Sequence, residues 1–175
     1  MGGANNSLLV FTGGMGGGKT SILTEASDVL ALRHIAHAAI DLDALGVAFL
    51  PHETTGDGAM YSNLRSVCGN YAGLGIRRFL LARAVEDRAQ LAICRDAAAA
   101  TDMVVCRLTG SIETMQQRIQ IREKGVSQQQ LVARVKKLNA ILNHARLEDF
   151  TVSNENRSVT DVAVEMLVKA GWISN

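Results

Sequence analysis

Residues Gly13-Gly14-Met15-Gly16-Gly17-Gly18-Lys19-Thr20 read as G-x-x-x-x-G-K-[ST], the pattern of a phosphate-cradling loop. Glycines here let consecutive backbone N–H groups turn inward around an anion, where a side chain would block the approach. Lys19 has the length to reach β- and γ-phosphates, and the Thr20 hydroxyl is a ligand for Mg²⁺. A helix starting at this point adds its positive dipole end. The competing reading is a glycine-rich turn holding a chance lysine.

The flanking residues weigh against chance. Ser7-Leu8-Leu9-Val10-Phe11-Thr12 precedes the loop as a short apolar run, the pattern of a buried parallel strand. Ile22, Leu23, Ala26, Val29 and Leu30 follow at helical spacing on one face. Strand, loop and helix are the context the motif requires.

Four more strands are predicted outward from there. They are Ile35 to Ile40, Phe79 to Ala82, Met103 to Leu108 and Phe150 to Val152, with helical patterns between them. A helix is predicted over Ala44 to Leu50. Another carries Met60, Leu64, Val67, Cys68 and Tyr71 and ends near Gly73 and Gly75. Ser127 with Gln130 reads as a capping box before Leu131, Val135, Leu138 and Leu142. Thr160 or Ser158 caps a last helix that stops at Gly171. His52 to Ala59, rich in Thr, Gly and Asp, reads as a surface loop. The fold class expected is α/β: a P-loop NTPase three-layer α/β/α sandwich with a five-stranded parallel sheet in the order 2-3-1-4-5.

A chain of 175 residues is expected to form a single domain, 1–175, with a short lid near 109–127. Its net charge of +1 gives no electrostatic case for nucleic-acid or membrane partners. Cys68, Cys94 and Cys106 form no CxxC pair, which argues against a zinc site or disulfide framework and suits a cytoplasmic setting. No leader-like or membrane-spanning stretch is read in the sequence.

Asp41 and Asp43 follow the second strand, at the end of the sheet where ligands bind in open α/β folds. They suit orienting an acceptor hydroxyl or holding Mg²⁺; the alternative is that one only caps the next helix. Arg118 and Arg122 stand four residues apart on a helix, placed to clamp a transferring phosphoryl group or to form a solvated face. Asn63, Arg65, Arg83 and Glu86 either face a substrate cleft or lie on the surface. Asn154-Glu155-Asn156-Arg157 follows the fifth strand, where Asn154 and Arg157 would meet the nucleotide base or serve as turn formers. No guanine signature of the NKxD type is present, which favours ATP over GTP.

The order of these pieces resembles the small P-loop kinases, in particular the adenylylsulfate-kinase-like branch. "GGMGGGKT" matches that family's Walker A loop, and "DLDAL" at Asp41 to Leu45 its acidic segment. "NLRSV" at Asn63 to Val67 is similar to the stretch whose Asn and Arg contact the acceptor. "RLTGSIETMQQRIQIRE" at Arg107 to Glu123 resembles the strand, helix and arginine-bearing lid. The chain departs from the pattern at Met60, where the family has arginine, and after Ala82, where Arg83 stands in place of a Walker B aspartate.

The resemblance implies an ATP- and Mg²⁺-dependent phosphotransferase. Gly13 to Thr20 would hold the donor, and Thr20 with Asp41 the metal. Asp43, Asn63, Arg65 and Arg83 would meet a small-molecule or nucleotide acceptor. Lys19, Asp41, Asp43, Arg118 and Arg122 would serve the reaction. The alternative is a nucleotide-binding regulator or slow ATPase, and a homodimer is left open.

Overall fold

β1 (Asn6–Gly13) is the central strand of a five-stranded parallel sheet ordered β2-β3-β1-β4-β5. The other strands are β2 (Ala38–Asp41), β3 (Arg78–Ala82), β4 (Ala100–Thr109) and β5 (Phe150–Ser153). The structure is a computed structural model and describes residues 5–48, 56–122, 124–125 and 128–174. Its helices are α1 (Lys19–Leu32), α2 (Gly56–Gly73), α3 (Arg88–Ala97), α4 (Ile112–Arg122), α5 (Gln128–Ala145) and α6 (Val159–Lys169).

The sheet is buried on both faces, as an all-parallel sheet must be. Alternate residues of β1 point to opposite layers. Leu9 and Phe11 pack with Ile22, Leu30, Val162 and Met166 of α1 and α6. Leu8 and Val10 pack with Leu64, Cys68, Leu91 and Cys94 of α2 and α3. The result is the three-layer α/β/α sandwich expected of the alternating pattern. A smaller cluster, Met115, Ile119 and Val135, joins α4 to α5 beside the loop.

The all-apolar run of β1 and the periodic stripe of α1 are read correctly from sequence. Ile22, Leu23, Ala26, Val29 and Leu30 are the buried residues of α1. Other boundaries shift for local reasons. The second strand begins at Ala38 rather than Ile35, because Ile35 still closes α1 through its amide to the Leu30 carbonyl. Its carbonyl then meets the His37 ring at 2.7 Å. Asp41 therefore belongs to the strand. In place of a helix over Ala44 to Leu50 there is one 3-10 turn, Asp43–Gly46, started by the Asp41 carboxylate accepting the Asp43 N–H at 3.2 Å. Residues 49 and 50 lie outside the described residues.

The loop expected over His52 to Ala59 is helical from Gly56 on, and residues 52–55 lie outside the described residues. β4 starts at Ala100, three residues ahead of the apolar run, because Asn6 and Ala100 pair at the sheet's lower edge. Ser158, not Thr160, caps α6 by accepting from the Asp161 N–H at 3.0 Å. Ser127, expected to cap α5, lies outside the described residues. No helix of the described residues is long and apolar enough to cross a membrane.

Candidate active site

The loop leaves β1 and turns directly into α1. Gly16 and Gly18 take φ of +73° and +80°, backbone conformations that side chains resist. Space forbids side chains there as well. A Cβ on Gly16 would overlap the Met115 carbonyl oxygen, and one on Gly18 the Asn154 amide nitrogen. The first turn of α1 thus begins with its N–H groups facing an open cavity.

That cavity, of about 130 Å³, is lined by residues Met15 to Ser21 together with Asp41, Asp43 and Arg122. Lys19 folds back across it, its ammonium donating to the carbonyls of Gly13 at 3.0 Å and Gly14 at 3.1 Å. Burial holds the Lys19 pKa below the usual 10.5, against the opposing pull of Asp43 and Asp41. A phosphate on the loop would supply this partly desolvated ammonium with a counter-charge.

The Thr20 hydroxyl donates to Asp41 at 2.8 Å. A hydroxyl and a carboxylate side by side beneath a phosphate cradle are hard oxygen donors that fit Mg²⁺, which takes its other ligands from water and phosphates. Asp41 thereby presents a carboxylate from β2 beside Thr20, whereas β3 runs into Arg83.

Beyond Asp43 the cleft continues to Arg83. Its guanidinium is 14% exposed and pairs with Asp43 at 3.4 Å and Asp57 at 3.3 Å. It also contacts the Met60 sulfur and lies over the Tyr61 ring, 5.6 Å from the centroid. Met60, where the resembling family carries arginine, is thus packed against the arginine that follows β3.

The remaining sequence candidates divide by position. Arg122 lines the cavity; Arg118 stands behind the loop and donates to the carbonyls of Gly16 at 3.4 Å and Asn154 at 2.9 Å. Asn154 is buried and its amide donates to the Gly17 carbonyl at 2.8 Å. Arg157 is spent on Glu165 and on the carbonyls of Ser153 and Asp161. Asn63 donates to the Leu45 carbonyl at 2.9 Å, steadying the turn that carries Asp43. Arg65 is exposed on α2. None of Arg118, Asn154, Arg157, Asn63 and Arg65 is in the cavity lining.

Sequence reasoning passed over two supports. Glu155 accepts from the Ser111 N–H at 3.2 Å and from the hydroxyls of Ser111 at 2.5 Å and Thr114 at 2.9 Å. These bonds hold its carboxyl below the ordinary 4.5 and fasten the start of α4, the arginine helix, to the turn after β5. Arg107 on β4 is 6% exposed and donates to Asn139 at 3.1 Å and Asn143 at 2.7 Å, anchoring α5 to the sheet. Both contacts join residues more than thirty positions apart, so no spacing rule exposes them.

A parallel sheet in this order, with a glycine loop turning from its central strand into α1, defines the P-loop kinase fold. No family model matches the chain, and no curated protein matches it in sequence. Solved structures do resemble it. A gluconokinase from Sinorhizobium meliloti 1021 shares 17% identity at a TM-score of 0.60, covering 96% of this chain and 93% of that one. Shikimate kinase from Acinetobacter baumannii, solved with shikimate, shares 15% at 0.60, covering 97% and 96%. The Mycobacterium tuberculosis APS kinase, solved with AMPPNP and APS, shares 19% at 0.57, covering 95% and 98%. These likenesses establish the fold and do not single out the adenylylsulfate-kinase branch.

Proposed function

We propose that the protein is an ATP- and Mg²⁺-dependent phosphotransferase that moves the γ-phosphate to a hydroxyl of a small molecule. The observation that carries this reading is one cavity uniting the loop amides, Lys19, the Thr20–Asp41 pair, Asp43 and Arg122. The gluconokinase, shikimate kinase and APS kinase likenesses support it.

The amides of Gly14 to Thr20 would hold the β-phosphate, and Lys19 would turn from its two carbonyls onto the γ-phosphate. Thr20 and Asp41 would hold Mg²⁺, which neutralises charge shared between the β- and γ-phosphates when bound. Asp43 is free of Thr20 and faces the same cavity, so it orients the acceptor hydroxyl. As the acceptor oxygen bonds to the γ-phosphorus, the bond to the bridging oxygen breaks and ADP leaves; the hydroxyl proton passes to Asp43. Arg122 would sit over the transferring group. Little covalent chemistry falls to the protein, and catalysis is positioning plus electrostatic stabilisation. A cytoplasmic setting, where ATP is abundant and thiols stay reduced, accords with this reading.

Lys19→Ala tests it. ADP release stimulated by the acceptor should fall on the order of 10²–10³-fold while the fold's melting temperature holds. Full acceptor phosphorylation by the variant would refute the kinase reading. ATP turnover that no metabolite stimulates would instead favour a slow ATPase.

A further inference from the structure

Past Lys19 and Asp43 the loop cavity opens into a second space of about 160 Å³, walled by Arg83, Glu86, Arg134 and Leu138. A hollow of about 250 Å³ continues from it along Lys137 and Ile141. Arg134, Lys137, Leu138 and Ile141 recur at i, i+3, i+4 and i+7, so a single face of α5 builds this wall. Arg107 holds that face in place from beneath, through Asn139 and Asn143.

The cations of the cleft are not equivalent. Lys19 serves the donor phosphates, and Arg83 is already neutralised by Asp43 and Asp57. The side chains of Arg134 and Lys137, among the described residues, have no hydrogen-bond or ion-pair partner. Glu86 lines the hollow beside these two cations, and Asp43 lines the adjoining space with Arg134. A guanidinium and an ammonium one helical turn apart, over a short apolar strip, match a small oxyanion attached to a carbon skeleton.

We propose that this face of α5 binds an anionic group of the phosphate acceptor, with Arg134 as its principal ligand and Lys137 as the second. The acceptor is then a small hydroxylated acid or phosphate ester, lying with a hydroxyl at Asp43 and its oxyanion against α5. This rests on the kinase reading above. A neutral polyol of the same length leaves both cations to water and is bound less tightly. Such an interaction is equal in the ground and transition states, so it acts on KM and not on kcat.

The test uses sulfate as a plain oxyanion. The protein is saturated with AMPPNP and Mg²⁺, so that the loop is filled, and sodium sulfate is titrated calorimetrically at constant ionic strength against chloride. Sulfate should bind, and Arg134→Ala should weaken it about tenfold or more, with Arg134→Lys between the two. Lys137→Ala should weaken it severalfold, and Lys136→Ala, on another face of α5, should leave it unchanged. Glycerate or glycerol 3-phosphate should then displace sulfate, the stronger competitor telling carboxylate from phosphate ester. No sulfate binding to the loaded wild-type protein, equal binding by Arg134→Ala, or equal displacement by glycerol would each overturn the inference. Failure of AMPPNP and Mg²⁺ to bind at all would instead overturn the kinase reading beneath it.

Discussion

The Thr20 hydroxyl and the Asp41 carboxylate meet at 2.8 Å, joining the first turn of α1 to the end of β2. The other Asp41 oxygen accepts the Asp43 N–H, so one side chain joins Thr20 and shapes the turn that presents the second aspartate. Asp41→Asn keeps the shape and removes the charge. The Mg²⁺ concentration giving half-maximal turnover should rise about 10–100-fold, with nucleotide binding in the absence of Mg²⁺ little changed. An unaltered Mg²⁺ titration would place the metal on other residues.

The loop is braced from behind by Asn154. Asn154→Ala leaves the Gly17 carbonyl without its donor, at a cost of about 1–3 kcal/mol. The melting temperature should fall by a few degrees per kcal/mol at this chain length, and affinity for fluorescent ATP analogues should fall with it. Gly18→Ala should be worse, since it adds backbone strain at φ +80° to the overlap with Asn154. Wild-type melting and affinity in both variants would show that the loop holds its shape unaided.

Glu155 makes the attachment of α4 sensitive to acid. Its folded pKa lies below 4.5, first through the Ser111 and Thr114 hydroxyls, so the charged form favours the folded state. That contribution is complete above 4.5 and is lost as pH falls through the lower folded value. Between pH 7 and pH 3 the melting temperature of the wild-type protein should therefore fall more steeply than that of Glu155→Gln. Parallel curves would mean that the carboxylate is not differentially held.

The three thiols are buried, and burial pushes Cys68 and Cys94 up to about 11 and Cys106 to about 12. The thiolate is the nucleophile, so iodoacetamide at pH 7.5 should leave all three unmodified in the native protein and alkylate all three after denaturation. Intact-mass spectrometry reads the count. Rapid native labelling of any of them would place that thiol at the surface.

Much of this was legible in the chain. The octapeptide Gly13 to Thr20 marked the loop and the cavity at the start of α1 because its geometry is local: glycines permit the turn, and the helix that follows supplies its amides. The apolar runs of β1 and β4 and the stripe of α1 identified the layers, since burial on both faces leaves a continuous apolar run. Asp41 and Asp43 were singled out as strand-end residues in an open α/β sheet, and both line the loop cavity.

Other roles were beyond the reach of spacing. Arg118 and Arg122 are equivalent in sequence, yet Arg122 lines the cavity while Arg118 ties Gly16 to Asn154, because the crossing of α4 over the loop admits one of them to each side. Arg134 reads as one surface arginine among several until α5 is laid on the sheet beside Arg83.

The sequence by itself determined the glycine loop, the parallel sheet and the end of the sheet where the loop cavity opens, for these follow from backbone freedom and burial pattern. Which carboxylate meets Thr20, which side chain braces the loop and which helix walls the far end were decided only by tertiary structure. Those contacts join segments 21 to 137 residues apart, brought together by the order of the strands and the packing of helices upon them.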